Sequence, residues 1–243
     1  LFLCVIALGL VIGCGEDITV TNTDGGPCYL QEELFGGVPD ETPAHKAVLA
    51  ISSDHRRCSG TLIAPKRVVT AAHCCIYDKR AEVITGRDSV MGTASMHPQY
   101  KRTGELSPVD LCVIELDQPL NIEPMAVAES APALEALVTT VGFGVNKIDD
   151  CTGAETGNGV RRQGNVVVTN ITPDVLETHP LADDPAVFSG HGDSGGALLF
   201  RGDDGIERLI GVTRSGDSKG LSQFINAVTN RDWIRLDHRI NPR

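Results

Sequence analysis

One short stretch of the sequence carries residues that could act on a substrate: residues 189–200 read SGHGDSGGALLF. It places Ser194 directly after Asp193, between glycines on both sides, and then continues into an apolar run. Glycine adopts backbone conformations closed to other residues and lets a second segment come close, so this cluster can expose a hydroxyl and aim backbone amides at one point. The same residue types are common in surface turns. The stretch alone leaves a nucleophilic serine and an ordinary turn both open.

Two earlier segments supply the partners that a nucleophilic serine needs. CSGTLIAPKRVVTAAHCC (58–75) places His73 at the end of a strand, and SPVDLCVIELDQPL (107–120) places Asp110 at the start of one. An imidazole titrates near neutrality and can take and return a proton, while a carboxylate can orient it. Taken singly, His73 could be a metal ligand and Asp110 a turn residue. A zinc site of His73, Cys74 and Cys75 is disfavoured, because adjacent residues on a strand point to opposite sides.

The elements that position these residues are predicted to be mostly strands. From residue 34 onward, short runs with β-branched residues recur between turn signals, which is typical of an all-β sandwich or barrel. These runs are residues 46–52, 67–72, 110–116, 136–144, 165–171, 196–200 and 208–213. Residues 229–238, after a possible cap at Thr229 or Asn230, predict a short terminal helix. Proline-containing connections at 117–132 indicate a seam between two halves.

Length and charge limit the functions that fit. The chain has 243 residues, enough to bury a large core, and a formal net charge of −11. Residues 1–33 hold five acidic and no basic residues, which leaves 27 acidic and 21 basic residues in the remainder. Nucleic-acid binding needs a basic stripe, so a nucleic-acid partner is not expected.

The first 14 residues, LFLCVIALGLVIGC, are apolar and uncharged, which suits the core of an export signal and is too short to span a bilayer. Residues 11–14 resemble a bacterial lipobox, which predicts a lipid on Cys14 and attachment to a membrane of the cell envelope. A plain secretory signal and a buried strand remain alternatives. Residues 15–33 are polar and rich in turn residues, and we interpret them as a tether or propeptide.

The motifs LFGG, CSGTLI, TAAHC, DLCVIEL, GFG and GDSGGALL, in this order, resemble those of the trypsin-like serine peptidases over residues 34–238. The resemblance implies two six-stranded antiparallel β-barrels with the site between them, at about 34–125 and 126–243, and a short C-terminal helix. It also implies an endopeptidase that acts on proteins or peptides, needs no cofactor or metal, and is expected to be a monomer. We find no acidic loop suited to calcium.

The same resemblance implies roles for individual residues. His73 matches the general base, Asp110 the residue that orients it, and Ser194 the nucleophile. The backbone amides of Gly192 and Ser194 match the oxyanion hole, whose donors stabilise the developing negative charge.

The resemblance further implies activation by cleavage before Leu34, whose freed α-amino group would pair with Asp193. The residue on the other side of that bond is Glu33, where tryptically activated relatives carry a basic residue. Trypsin itself is therefore not the expected activator.

Among the cysteines, Cys58 and Cys74 match the most widespread bridge of the family. Cys112 is predicted to be a buried thiol in the strand after Asp110. Pairing among Cys28, Cys75 and Cys151 stays open.

Specificity is the least constrained feature. Phe188 stands at the position that forms the pocket floor in relatives, where an aspartate selects Arg or Lys, and Ser189, Arg214 and Gly216 are expected to line the walls. We favour a shortened apolar pocket for Leu, Phe or small side chains. Alternatively, Arg214 and His191 present positive charge to an acidic side chain, or Arg214 points to solvent or pairs with an acid.

Two other functions fit parts of the pattern. GDSGG also satisfies Gly-x-Ser-x-Gly, the nucleophile elbow of α/β-hydrolase esterases, although the sequence lacks alternating strands and helices. A non-catalytic binding lipoprotein on the trypsin-like fold is the other alternative.

Overall fold

The strands form two closed antiparallel β-barrels. The structure, a computed structural model, describes residues 30–31, 37–53, 56–76, 79–102, 107–149, 155–182, 187–217 and 219–238. Two short strands come first, β1 (Leu30–Gln31) and β2 (Val38–Pro39). The first barrel consists of β3 (Val48–Ser53), β4 (Arg56–Ala64), β5 (Arg67–Thr70), β6 (Arg80–Thr85), β7 (Asp88–Met96) and β8 (Cys112–Leu116). Its strand order is β3-β4-β5-β8-β7-β6, and β6 pairs with β3 to close it.

The second barrel is built in the same way. Its strands are β9 (Leu137–Gly142), β12 (Arg162–Ile171), β13 (Val175–Pro180), β14 (Ala197–Arg201), β15 (Glu207–Gly216) and β16 (Ser222–Asn226). Two small strands, β10 (Lys147–Asp149) and β11 (Glu155–Thr156), lie outside it and pair with each other, and β10 also pairs with β1. The order is β9-β12-β13-β16-β15-β14, closed by the pairing of β14 with β9. This all-β fold confirms the predicted architecture and excludes the α/β-hydrolase alternative.

The predicted terminal helix is shorter than expected, α1 (Arg231–Arg235) instead of residues 229–238. Trp233 meets His97 of the first barrel edge to face, with ring centroids 4.6 Å apart, and Ile234 is fully buried. The helix therefore ties the end of the chain back to the first barrel. Among the described residues, no helix is long and apolar enough to cross a membrane.

Buried charges fix the segment that follows β2 to the second barrel. Asp40 Oδ2 accepts a hydrogen bond from Arg161 Nε at 2.8 Å and lies 3.0 Å from Nδ1 of His45. The other ring nitrogen of His45 lies 2.9 Å from Oε2 of Glu207. Burial raises the pKa of Asp40, but hydrogen bonds from Thr42 and Arg161 and the charge of His45 outweigh it and lower the pKa. The segment from Asp40 to His45 is therefore held against the second barrel.

Two disulfides lie in the first barrel, and one of them corrects a prediction. Cys58 is bonded to Cys74, as the resemblance implied. Cys112 is buried, but it is not a free thiol, because it is bonded to Cys75. Thr70 of β5 pairs with Cys112 of β8, and the short 3₁₀ helix after β5 then brings Cys75 back to the same place. This contact depends on strand register, which residue spacing does not reveal. Cys14, Cys28 and Cys151 lie outside the described residues.

Removal of the Cys75–Cys112 bridge is expected to lower the free energy of unfolding by about 4 kcal/mol, because the bond closes a long loop in the unfolded chain. The sequence separation is 37 residues, against 16 for Cys58–Cys74, whose removal should cost about 3 kcal/mol in the same treatment. Urea unfolding of Cys75→Ala/Cys112→Ala beside Cys58→Ala/Cys74→Ala measures both. Mass spectrometry of unreduced digests tests the pairing directly, and a Cys58–Cys75 or Cys74–Cys112 linkage would contradict it.

Candidate active site

The two barrels enclose a cleft of about 590 Å³ that contains most of the residues singled out in the sequence. The second barrel contributes the segment from Ser189 to Ser194 and the end of β15. The first barrel contributes the beginning of β4 and the 3₁₀ helix after β5. The described lining residues are Arg56, Arg57, Cys58, His73, Val145, Asn158, Ser189, Gly190, His191, Gly192, Ser194, Arg214, Ser215 and Gly216.

His73 and Asp110 are paired at one wall of this cleft. The imidazole Nδ1 lies 2.6 Å from Oδ2 of Asp110, while Oδ1 of the same carboxylate accepts a hydrogen bond from the backbone N–H of His73 at 2.9 Å. Asp110 is 4% exposed and the His73 side chain 27% exposed, so the carboxylate is sequestered and the ring reaches solvent. The two-point contact fixes the ring and leaves Nε2 for a partner in the cleft. The Cys75–Cys112 bond joins the same two segments, two residues beyond each.

Ser194 lines the same cleft, in a turn that needs glycine on both sides. Gly192 and Gly195 have φ values of +92° and +82°, a region that side chains disfavour. A Cβ on Gly195 would also lie 2.3 Å from the carbonyl oxygen of Ser59. The serine therefore stands on a sharp turn that packs directly against β4 of the other barrel.

Ser59 joins the serine segment to the first barrel. Its N–H donates to the carbonyl oxygen of Ser194 at 2.8 Å, and its hydroxyl donates to the carbonyl oxygen of Gly192 at 2.9 Å. The hydroxyl also accepts a hydrogen bond from the N–H of Phe143 at 2.9 Å. One buried side chain thus holds the turn against both barrels.

Two backbone amides in this turn differ from their neighbours. The N–H groups of Asp193, Gly195 and Gly196 donate to carbonyl oxygens. The N–H groups of Gly192 and Ser194 have no acceptor among the described residues. Such a pair of amides beside a hydroxyl can stabilise negative charge that develops on a bound carbonyl oxygen.

The carboxyl group of Asp193 turns away from the cleft into a small cavity of the second barrel. Its oxygens accept hydrogen bonds from the N–H groups of Gly144 at 2.9 Å and Gly190 at 3.0 Å. Burial raises the pKa of Asp193 from 3.8 to about 6, since these two hydrogen bonds and the charge of Arg162 offset the burial only in part. The site is polar and buried, and Arg162 is the one cationic residue among its described lining residues.

Three of the four predicted pocket residues, Ser189, Arg214 and Gly216, line the cleft, while Phe188 is half-buried and is not among the lining residues. The backbones of the two expected walls approach each other closely at Gly216. A Cβ on Gly216 would lie 2.0 Å from the carbonyl oxygen of Ser189. The N–H of Ser189 donates to the hydroxyl of Ser222 at 2.8 Å, which ties this wall to β16.

The comparison with known proteins decides the family. The sequence profile of the family described as Trypsin matches residues 34–234, well over half of the chain. The chain belongs to the trypsin family. This member is a serine endopeptidase, a hydrolase that acts on peptide bonds in proteins or peptides.

Curated relatives cover most of the chain at low identity. A trypsin from Saccharopolyspora erythraea is 27% identical over 209 residues, covering 76% of this chain and 87% of the relative. Brachyurin from Leptuca pugilator is 26% identical, covering 86% of this chain and 100% of the relative. Chymotrypsin-C from Mus musculus is 25% identical, covering 86% and 90%. At such identities, positions that set specificity must be considered residue by residue.

Arg214 of this trypsin-family protein lies close to the His73–Asp110 pair. Burial lowers the pKa of its guanidinium, and the charge of Asp110 partly offsets that effect. Its Nε atom is buried without a hydrogen-bond partner in the structure. The side chain is half-buried, so the option in which it simply points to solvent does not describe it.

Cys58, His73 and Cys74 form the single described group of three residues close enough to share a metal ion. The two sulfurs are bonded to each other and so provide no thiolates. The imidazole is already paired with Asp110.

Sequence reasoning missed three residues that shape this cleft: Ser59, Arg57 and Ser222. Ser59 lies inside the CSGTLI motif, which contributed to the family resemblance. The motif located this segment but did not predict that Ser59 would hydrogen-bond to the serine turn. Arg57 and Ser222 lie in segments with no distinguishing pattern, and only the meeting of the barrels places them at the cleft.

Proposed function

We propose that His73, Asp110 and Ser194 act as a catalytic triad in peptide-bond hydrolysis. The observation that carries this proposal is the His73–Asp110 pair, with Nδ1 and Oδ2 2.6 Å apart, at the cleft that Ser194 also lines. Ser194 Oγ attacks the peptide carbonyl carbon while Nε2 of His73 takes the hydroxyl proton. His73 then gives that proton to the leaving amine as the C–N bond breaks, which leaves an acyl group on Ser194. Water, deprotonated by His73, releases the acid product.

The amides of Gly192 and Ser194 act as the oxyanion hole in this mechanism. They are adjacent to the nucleophile and have no other acceptor among the described residues, so no existing hydrogen bond has to break. A donor of this kind stabilises the transition state by about 3–4 kcal/mol.

Activation is proposed to follow cleavage between Glu33 and Leu34, after which the new α-ammonium pairs with Asp193. Leu34 lies outside the described residues, but the chain nearby favours this. Gly37 lies against Gln163, since a Cβ on Gly37 would be 3.1 Å from the Gln163 carbonyl oxygen, and Gln163 lines the cavity that holds the Asp193 carboxyl group. The three residues 34–36 that precede Gly37 can span about 10 Å when extended. An ammonium there would add to the positive charge of Arg162, which by itself leaves the pKa of Asp193 raised.

The ionisation of Asp193 gives a test of this pairing. With its folded pKa raised to about 6, the carboxyl group is protonated in the folded full chain at low pH. The contribution of this protonated carboxyl group to the free energy of unfolding is complete below its unfolded pKa and is lost as pH rises through about 6. By pH 7 the loss amounts to about 3 kcal/mol. In the 34–243 form the ammonium should keep Asp193 ionised, and this loss should disappear. Urea unfolding from pH 4 to 8 measures it, with full-chain Asp193→Asn as the control. The same pH dependence in both forms would contradict the pairing.

Primary specificity is proposed to be non-tryptic and to favour Leu, Phe or small side chains. The close approach of Gly216 to Ser189 and the Ser189–Ser222 hydrogen bond hold the two expected walls of the pocket together. No Asp or Glu stands among the described cleft residues to attract Arg or Lys. The alternative, an acidic side chain held by Arg214 and His191, would also allow the enzyme to cut its own Glu33–Leu34 bond. A peptide library offered to the 34–243 form distinguishes them, and efficient cleavage after Arg or Lys would contradict both.

Export is proposed for the precursor, supported by two disulfides, which form in oxidising compartments. A lipid on Cys14 and a tether over residues 15–33 remain predictions from sequence, as does a monomeric state. Mass spectrometry of the membrane fraction would detect the lipid-modified peptide.

Labelling with a serine-directed fluorophosphonate tests the catalytic proposal. We expect the 34–243 form to react, the full chain to react slowly, and Ser194→Ala not to react. Equal labelling of the first two would contradict control by processing. No labelling of either would favour the non-catalytic binding protein on this fold.

A further inference from the structure

The active-site cleft is cationic in a protein that is acidic overall. Its described lining includes the guanidinium groups of Arg57 and Arg214 and contains no Asp or Glu. The whole chain carries a net charge of −11. The cleft therefore has a positive electrostatic potential although the chain as a whole is negative, and this potential lies where a substrate would bind.

Arg57 lies at the edge of the cleft and is oriented by a neutral partner. It stands in β4 directly before Cys58, whose disulfide partner Cys74 follows His73 in the chain. Its Nη1 donates a hydrogen bond to Oδ1 of Asn158 at 2.7 Å, across the cleft from the other barrel. Asn158 is neutral, so the contact orients the guanidinium without cancelling its charge.

Arg214, on the opposite flank, is in a different state. It is half-buried, and the negative charge of Asp110 partly offsets the burial that lowers the pKa of its guanidinium. Its positive charge is therefore partly committed to the proposed catalytic pair. Arg57 is exposed at the rim and has no acidic partner among the described residues.

We propose that Arg57 is a specificity-determining residue that binds an acidic side chain of the substrate close to the scissile bond. The substrates inferred are polypeptide segments that carry Asp or Glu within about four residues of that bond, on the side that lies along the first barrel. This inference rests on the proposed peptidase function. It is separate from the choice of the residue bound beside Ser189 and Gly216, which lie in the second barrel.

The chemistry of the guanidinium suits this role. It presents parallel N–H donors that match a carboxylate at two points, and Asn158 engages one nitrogen and leaves others open. Because the pair would form at an exposed rim, its effect should be modest and should weaken as salt rises. We expect a carboxylate at the matched position to raise kcat/KM about two- to fivefold over the corresponding amide, mainly through KM.

The test uses peptides that differ only in Glu against Gln, placed in turn at four positions on each side of one scissile bond. With the wild-type 34–243 form, the Glu/Gln ratio of kcat/KM should reach two to five at positions on one side and fall towards one in 0.5 M NaCl. Arg57→Gln should reduce that ratio to about one, and Arg57→Glu should invert it and favour Lys there. The matched control is Arg87→Gln, an exposed arginine in the turn between β6 and β7, which should keep the wild-type ratio.

Two further measurements separate this inference from the proposed function. Binding of the same fluorescent peptides to Ser194→Ala, by anisotropy, tests Arg57 without requiring catalysis, and fluorophosphonate labelling tests Ser194 without a charged peptide. If fluorophosphonate labels Ser194 but the Glu/Gln ratio is one in both binding and cleavage, the Arg57 inference alone is overturned. If binding prefers Glu and this preference is lost in Arg57→Gln, but fluorophosphonate does not label the 34–243 form, the peptidase proposal alone is overturned. A preference spread equally over both sides of the bond, or lost equally in Arg87→Gln, also overturns the subsite.

Discussion

Replacing Ser194 by alanine is expected to lower kcat/KM for peptide hydrolysis by about a millionfold. The hydroxyl is the atom that forms the acyl intermediate in the proposed mechanism. Once it is absent, His73 and Asp110 have no nucleophile to activate, so their contribution is lost with it. Only substrate binding and the amides of Gly192 and Ser194 would remain, which can leave a residual acceleration of about a thousandfold over water.

The measurement is single-turnover hydrolysis of an optimised library peptide by the 34–243 form and its Ser194→Ala variant, with circular dichroism to confirm folding. Ser215→Ala is the matched control, because Ser215 lines the same cleft and hydrogen-bonds to Gln223 at 3.3 Å. It should stay within about threefold of wild type. Retention of more than about one hundredth of wild-type kcat/KM in folded Ser194→Ala would exclude Ser194 as the nucleophile.

The fold was predictable where side-chain pattern and burial coincide. β12 alternates buried Val166 and Val168 with outward residues, and β8 is buried throughout, so both were marked in the sequence. β6, β7, β13 and β16 were missed. In β7 the residues of DSVMGTASM are largely exposed, so burial gives them no apolar pattern, whereas β16 is mostly buried but short. These strands form through pairing with their neighbours around a closed barrel, which is non-local information.

The site shows the same division between local and non-local information. Motifs identified His73, Asp110 and Ser194 as candidates. The role of Ser59, which holds the serine turn by two hydrogen bonds and accepts a third from Phe143, came only from the meeting of the barrels. The bonding of Cys112 to Cys75 depends on the register of β5 against β8. Contacts of this kind are set by geometry between segments that are 37 or more residues apart, and no local pattern encodes them.

The paired disulfides and the His73–Asp110 contact reinforce one another. Cys74 and Cys75 follow His73, and their bonds run to β4 and to the start of β8, so the short 3₁₀ helix is fixed from two directions. Ordering His73 in the folded state means that little conformational entropy has to be lost when substrate binds. The disulfides therefore support the geometry of the site as well as the stability of the barrel.

Replacing Asp110 by asparagine is expected to reduce kcat about ten-thousandfold with a much smaller change in KM. The carboxylate accepts hydrogen bonds from both the backbone N–H and Nδ1 of His73. An amide group can keep the first contact and then presents its NH₂ to Nδ1, which forces the ring proton onto Nε2. In that tautomer, His73 cannot accept the proton of Ser194. The loss also leaves the half-buried Arg214 without its nearby negative charge, so stability should fall as well.

Steady-state kinetics at pH 8 on the 34–243 form, with urea unfolding of the same samples, measures both effects. Asp117→Asn is the matched control, because Asp117 is an exposed acid at the end of β8 that pairs with Arg80, and its kcat should stay within about twofold of wild type. A rise in KM with kcat preserved would assign Asp110 to substrate contact. A loss of stability alone, with kcat of the folded fraction unchanged, would reduce it to a structural partner of Arg214. A kcat lower by about four orders of magnitude in a folded protein requires that Asp110 sets the tautomer of His73.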